Sequence, residues 1–136
     1  MDETSSLLQQ FAERYSRRDL AGLMDLVADH ADVLMLGTGA DERLQGRDAV
    51  RAQFERDWSQ AEATRITVLA SRSGAAPGCC WFIADVRFDI RMGGASAVVD
   101  GRWSGSFIEQ AGGWKLVTTH FSLPAQGQDD GQSYPR

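Results

Sequence analysis

The first half of the chain carries apolar residues at helical spacing. Leu7, Leu8, Phe11, Ala12 and Tyr15 recur three and four residues apart, which places them on one face of a helix. The same spacing predicts two further helices, whose apolar faces consist of Leu20, Leu23, Met24 and Val27 in one and of Val50, Phe54, Trp58 and Ala61 in the other. Between these two helices, a short apolar run at residues 31–36 predicts a strand, and a loop follows at residues 37–42.

After Thr64 the apolar period changes to two, which is typical of strands. Alternating runs around residues 66–70, 79–90, 97–109 and 114–123 are separated by glycine-containing turns, so we predict antiparallel hairpins. Helices at the front and hairpins at the back predict an α+β fold, with the N-terminal helices packed on one face of a curved antiparallel sheet. The other face of the sheet must then meet solvent or a second subunit.

Length and composition indicate one folded domain. A chain of 136 residues, 43% hydrophobic, can bury a core without disulfides or a structural metal. We assign residues 1–124 to this domain and expect the polar segment at residues 125–136 to be a disordered tail. Cys79 and Cys80 are adjacent, so they can neither close a useful loop nor supply four metal ligands. We therefore predict no metal site and no cofactor.

The charge pattern limits the classes of partner. The net charge is −5 and no basic stripe is present, which argues against nucleic acid as a partner. No apolar run approaches the ~18 residues of a membrane span, and the acidic N-terminus does not resemble a secretory signal. We therefore expect a cytoplasmic protein without a membrane partner.

Three segments carry a family resemblance: VLMLGTGADE at residues 33–42, GRDAV at residues 46–50 and GWKLVTTHFS at residues 113–122. Through them the chain resembles the SnoaL-like branch of the NTF2-like superfamily, over roughly residues 4–124. The resemblance implies a cone-shaped α+β barrel with a pocket inside, and a homodimer formed through the outer face of the sheet. The superfamily includes isomerases, epoxide hydrolases, polyketide cyclases and kinase-association domains, so the resemblance implies no single activity.

The strand at residues 81–90 has two different faces. Phe82, Ala84, Val86, Phe88 and Ile90 form an entirely apolar face, whereas the other face consists of Trp81, Ile83, Asp85, Arg87 and Asp89. In a monomer the mixed face could be a solvated row of ion pairs, which would contribute little stability. The resemblance favours the opposite arrangement, with the apolar face against a twin subunit and the charged face directed into the cone.

If the charged face lines the cone, four residues become catalytic candidates. Asp85, Arg87 and Asp89 could together polarise a carbonyl, activate a water or bind a carboxylate. His120 could act as a general base, or it could be a structural histidine hydrogen-bonded to Ser122 or a neighbouring strand. The alternation of the last strand does not decide which of its faces points inward.

The candidate ligand-binding residues are Tyr15, Trp58, Trp81, Ile83, Arg102 and Trp103. The alternative role of the four aromatic residues among them is in the core. Arg102 and Trp103 alternate, so one of them faces inward. The loop at residues 37–42 could edge the cavity, positioning Asp41 and Glu42, or be a solvated acidic turn.

The positions that ketosteroid isomerase relatives use for a tyrosine and a base are occupied by Phe11 and Met35, which makes that chemistry doubtful. Tyr15 lies one helical turn away and could replace the tyrosine, but Met35 cannot remove a proton. The spacing of Arg87 and Asp89 is closer to epoxide hydrolase relatives, whose second aspartate is replaced by Thr119 or His120.

Three functions remain open at the level of sequence. The first is a module that binds a small, largely apolar molecule with a carbonyl or carboxylate group in the cone. The second is a cofactor-independent isomerase, cyclase or hydratase with an Asp/Arg/His pocket. The third is a dimerisation module with a vestigial cavity.

Overall fold

A computed structural model describes residues 2–136 and shows three helices packed on one face of a six-stranded sheet. The elements in chain order are α1 (Glu3–Ser16), α2 (Leu20–Asp25), β1 (Leu34–Leu36), β2 (Arg43–Gln45), α3 (Arg47–Ser59), β3 (Ala63–Ala76), β4 (Cys79–Met92), β5 (Ala95–Gln110) and β6 (Gly113–Ser122). The predicted α+β fold class is confirmed. Residues 123–136 contain turns but no helix or strand, and the disorder expected for the tail stays a prediction.

The strand order is β2-β1-β6-β5-β4-β3. Strands β3 to β6 form the predicted antiparallel hairpins, while β1 pairs in parallel with β6 and antiparallel with β2. Sequence reasoning missed β2 because its three residues are too few to show alternation. This short strand nevertheless fixes the loop at residues 37–42 between two hydrogen-bonded segments.

Two bulges change which side chains face inward. In β3 the register shifts between Val68 and Ala70, and in β6 one residue, Val117, is left out of the pairing with β5. Leu116 and Thr119 are therefore both buried, although strict alternation would place them on opposite faces. Because a bulge bends its strand and increases its twist, these two positions also curve the sheet around the helices.

The core lies between the helices and the concave face of the sheet. The ring of Phe11 on α1 packs 4.8 Å from that of Trp103, which stacks on Phe121 at 5.3 Å. The Trp103 indole donates a 2.7 Å hydrogen bond to the buried Thr119 hydroxyl, so its polar atom is satisfied. At Gly105 the backbone of β6 approaches so closely that an added Cβ would collide with the Thr118 carbonyl.

The predicted orientation of β4 is wrong. Phe82, Ala84 and Val86 are buried beneath the helices rather than against a twin subunit, and Phe88 and Ile90 are partly buried on the same side. The mixed face points outward: Ile83 is 63% exposed, and Asp85, Arg87 and Asp89 are exposed as well. The physical reason is that the apolar faces of α1 and α3 need an apolar sheet face to cover them.

The outer face of the sheet is partly apolar. One cross-strand row contains Leu34, Thr118, Ser106 and Trp81, and the next row contains Leu36, His120, Ser104 and Ile83. The four apolar members, Leu34, Leu36, Trp81 and Ile83, are each at least 40% exposed. We call these eight residues the outer patch.

Candidate functional site

A partly open pocket of about 300 Å³ lies between the helices and the concave face of the sheet. It contains Tyr15 of α1, Phe54 and Asp57 of α3, and the start of the loop after β1. Its apolar wall is formed by Met35, Phe54, Ile66, Phe88, Ile90, Met92, Val99, Phe121 and Leu123. A cavity of this size, with mostly apolar walls and a few polar groups, is suited to a small organic molecule.

The polar side of the pocket is a connected hydrogen-bond network. The Tyr15 hydroxyl donates to Asp57 Oδ2 at 2.8 Å, and Gln53 Nε2 donates to Asp57 Oδ1 at 2.7 Å. The same Gln53 nitrogen donates to Glu42 Oε1 at 2.8 Å. Gln53 is buried, so these bonds satisfy an amide that would otherwise be costly to bury.

The loop at residues 37–42 positions Glu42, whose other carboxylate oxygen accepts a hydrogen bond from the Gly39 backbone nitrogen. An added Cβ at Gly37 or Gly39 would lie 2.7 Å from Glu42 Oε2, so a larger residue at either position would displace this carboxylate. Asp41 points outward and pairs with Arg56 at 2.9 Å. The loop therefore edges the cavity, and only its second acid faces the pocket.

Burial dominates the titration of the two central groups. It raises the pKa of the Asp57 carboxyl, and the hydrogen bonds from Tyr15 and Gln53 oppose this effect only in part. Burial and the adjacent Asp57 carboxylate raise the pKa of the Tyr15 hydroxyl, which therefore stays protonated at neutral pH. On the loop, the hydrogen bond from Arg56 lowers the pKa of the exposed Asp41.

Four of the predicted site residues come together, but on the outer face. Ile83, Asp85, Arg102 and His120 line an open groove of about 640 Å³ beside the outer patch, with part of Trp103 at its base. Arg102, not Trp103, therefore faces outward, and the Trp103 side chain is in the core. These groups do not face the concave pocket.

The remaining predicted residues are divided between the outer face and the core. Arg87 pairs with Asp100 at 2.7 Å on the outer face, where the hydrogen bond lowers the pKa of Asp100. Asp89 and Trp81 are exposed on the same face. Trp58 is buried with its ring 5.6 Å from Tyr15, so of the ten predicted residues only Tyr15 lines the concave pocket. Catalysis by the outer-face groups stays a prediction that this placement does not favour.

Sequence reasoning missed Gln53, Asp57 and the contact of Glu42 with them. A signal was present in the spacing of α3. Val50, Gln53, Phe54, Asp57 and Trp58 follow each other at helical intervals, so the two polar residues lie on the apolar face of the helix. Polar side chains on a buried face need partners, and that requirement points to a polar site.

Neither a metal-ligand cluster nor a membrane-spanning helix is found within residues 2–136. Within residues 2–136, no group of three or more His, Cys, Asp and Glu side chains is arranged to hold a metal ion. In the same part of the chain, no helix combines the length and the apolar character needed to cross a membrane.

We predict that Asp57 makes stability fall as the pH rises. Because burial raises its pKa in the folded state above the ordinary 3.8, the folded protein holds this proton to higher pH than the unfolded chain. As the pH rises above 3.8, the free energy of unfolding of the wild type should therefore fall relative to that of Asp57→Asn. Urea unfolding between about pH 4.5 and 8 measures this difference. Asp85→Asn, an exposed carboxylate on the outer face, controls for the change in net charge. A stability difference that is constant, or that shifts towards the wild type at higher pH, would contradict the prediction.

Comparison with known proteins supports the fold. The SnoaL-like domain family matches residues 5–126, whereas no curated protein matches the chain. A nuclear transport factor 2-like superfamily protein from Salmonella enterica serovar Typhimurium is 15% identical, with a TM-score of 0.83 over 97% of this chain and 95% of that one.

Two further solved structures have the same fold. A candidate dehydratase of the NTF2-like family from Streptomyces avermitilis is 16% identical, with a TM-score of 0.82 over 90% of this chain and 95% of that one. An NTF2-like protein of unknown function from Pseudomonas putida is 17% identical, with a TM-score of 0.78 over 98% and 91% of the two chains. Because the family match spans most of the chain and the fold agrees, this protein belongs to the SnoaL-like domain family of the NTF2-like superfamily.

Proposed function

We propose that the protein binds a small, largely apolar molecule in the concave pocket. The single observation that carries this proposal is a partly open cavity of about 300 Å³ with an apolar wall and one polar side. Burial of the ligand against Ile66, Phe88 and Ile90 would supply most of the affinity. The polar side would orient the ligand through Tyr15, Asp57 and Thr64.

The expected carbonyl group is compatible with this pocket, since Thr64 and Gln60 can donate hydrogen bonds to it. The alternative carboxylate group finds no cation among the lining residues that the structure describes. A carboxylate would instead meet Glu42 and Asp57. The proposal therefore keeps an apolar ligand with an uncharged oxygen group, such as a carbonyl or a hydroxyl, and drops the carboxylic acid.

Filling the pocket should abolish binding of 4-tert-butylacetophenone, an uncharged aromatic ketone. The Ile90→Trp substitution places a larger ring into the cavity, so we expect the Kd of this ketone to rise at least about ten-fold, measured by isothermal titration. Ala52→Trp adds the same ring to the exposed surface of α3 and should leave the Kd unchanged. Equal affinities of wild type and Ile90→Trp would place the ligand elsewhere.

A second candidate function is proton-transfer catalysis, as in a cofactor-independent isomerase, cyclase or hydratase. The observation that favours it is the 2.8 Å hydrogen bond between Tyr15 and Asp57 inside an apolar pocket. Burial raises the pKa of Asp57, and a carboxylate in such a site is a stronger base than one in water. In this role Asp57 would remove a proton from the carbon beside a bound carbonyl and later return one to it.

This candidate predicts hydrogen exchange in a bound ketone. In D2O, Asp57 would take a proton from the methyl group of 4-tert-butylacetophenone, and a deuteron from solvent would be returned to the same carbon. We expect mass spectrometry to show faster deuterium uptake with the wild type than with Asp57→Asn or with buffer alone, and Asp85→Asn to match the wild type. Binding without such exchange would leave ligand binding as the function.

We further propose that two copies associate through the outer patch. Its four exposed apolar side chains lie in adjacent rows that the helices leave uncovered, and exposed apolar patches of this kind mark interaction surfaces. Asp85 and Arg102 face each other across the neighbouring strands. No ion pair joins them within residues 2–136, so their charges are available to a two-fold related copy.

The dimer should dissociate when a charge is placed in this patch. Ile83→Glu would bury a carboxylate in the interface, so we expect a monomer by sedimentation equilibrium at a concentration where the wild type is a dimer. Ala52→Glu introduces the same charge on the opposite side of the molecule and should remain dimeric. A monomeric wild type, or a dimeric Ile83→Glu, would rule out this interface.

A further inference from the structure

The charge of the pocket restricts its ligand more narrowly than its size does. Among the described residues that line it, the ionisable acids are Glu42 and Asp57, and no lysine, arginine or histidine is present. Both carboxylates bind the same Gln53 nitrogen, at 2.8 and 2.7 Å, so they lie close together. Arg56, which follows Gln53 by three residues, is bound to Asp41 outside the pocket. A bound anion would thus meet two acids and no counter-charge.

The donors around these acids are already used. The proton of the Tyr15 hydroxyl is donated to Asp57, and the Gln53 amide nitrogen donates to Asp57 and Glu42. The network still has acceptor capacity for a ligand. The carboxylates and the Tyr15 oxygen have remaining lone pairs that can accept hydrogen bonds. A ligand group that only accepts hydrogen bonds cannot use this capacity, whereas a group that donates can.

Thr64 provides an independent indication of where the ligand's polar group lies. Its side chain lines the pocket and the residue is only 9% exposed. Its oxygen is not among the fully buried polar atoms of residues 2–136 that lack a hydrogen-bond partner, so the hydroxyl is open to a ligand or water in the pocket. This hydroxyl can both donate and accept, so it complements another hydroxyl group.

We infer that the polar group of the ligand is an uncharged hydroxyl, bound between Thr64 and the acidic Tyr15–Asp57 side, and that the pocket rejects carboxylates. The inference rests on the proposed binding function and narrows it to alcohols and phenols with an apolar body. A ligand hydroxyl donates to an acceptor of the network and accepts from Thr64, so both of its hydrogen-bonding functions are paired. A carboxylate can only accept and adds a third negative charge.

Three compounds with one apolar body test this inference: 4-tert-butylphenol, 4-tert-butylbenzoate and 4-tert-butyltoluene. At neutral pH they carry a hydroxyl, a negative charge and a methyl group in the same position. We expect isothermal titration of the wild type to give a Kd for the phenol at least about ten-fold lower than for the benzoate, and clearly lower than for the toluene. Benzoate binding as tight as phenol binding would overturn the inference.

Substitutions of the acids and of Thr64 assign the discrimination to the named groups. Asp57→Asn removes one charge, so the benzoate should gain affinity and the ratio of the benzoate Kd to the phenol Kd should narrow. Glu42→Gln provides the same test if Asp57→Asn does not fold. Thr64→Val is nearly isosteric and should weaken phenol binding several-fold while toluene binding is unchanged. An unchanged Kd ratio in the folded acid variant, or equal phenol affinity in Thr64→Val, contradicts the assignment.

The same titrations separate failure of this inference from failure of the proposed function. If the benzoate or the toluene binds the wild type as well as the phenol does, and Ile90→Trp abolishes that binding, the pocket binds apolar molecules without the proposed selectivity. If none of the three compounds binds but 4-tert-butylacetophenone does, the inference fails and the binding function stands. If none of the four compounds binds, the binding function itself is contradicted and the inference fails with it.

Discussion

Burial of one apolar sheet face beneath the helices is the constraint on which the rest of the structure depends. The aromatic contacts of Trp103 with Phe11 and Phe121 lie at the centre of this interface, and Phe107 and Val86 are fully buried beside them. The apolar faces of α1 and α3 have no other apolar surface to pack against. This contact therefore decides which side chains of β4 and β5 point inward. It also decides that the opposite side of the sheet, with its outer patch, stays uncovered.

The pocket follows from the same packing because the helices and the curved sheet do not close completely around Tyr15 and Phe88. At this end the buried face of α3 includes Gln53 and Asp57, whose polar groups must be satisfied internally. The loop at residues 37–42 supplies Glu42, and Tyr15 supplies a donor. An otherwise apolar cavity therefore has one acidic side, and the proposed ligand selectivity rests on this asymmetry.

Most of the architecture could be predicted from local patterns. The three helices and the four long strands follow from spacings of 3.6 and two residues, and glycine marks each hairpin turn. The short strand β2 and the bulges at residues 69 and 117 could not be predicted, since one extra residue leaves no trace in an otherwise alternating sequence. Strict alternation divides the side chains of β6 into two faces. Because of the bulge, neither of these two sets is the set that points inward.

The candidate site was less accessible to sequence reasoning. The two faces of β4 were correctly separated, but their orientation was wrong, because alternation shows that two faces differ and not which partner covers each of them. Asp57 shows the same limit: its spacing places it on the buried face of α3, whereas its contact with Tyr15, 42 positions away, exists only after the chain has folded. By itself the sequence determined the family, the elements and their amphipathic faces, which depend on neighbouring residues. Only the tertiary structure decided which faces meet and which polar groups share a pocket, because these depend on contacts between residues far apart in the chain.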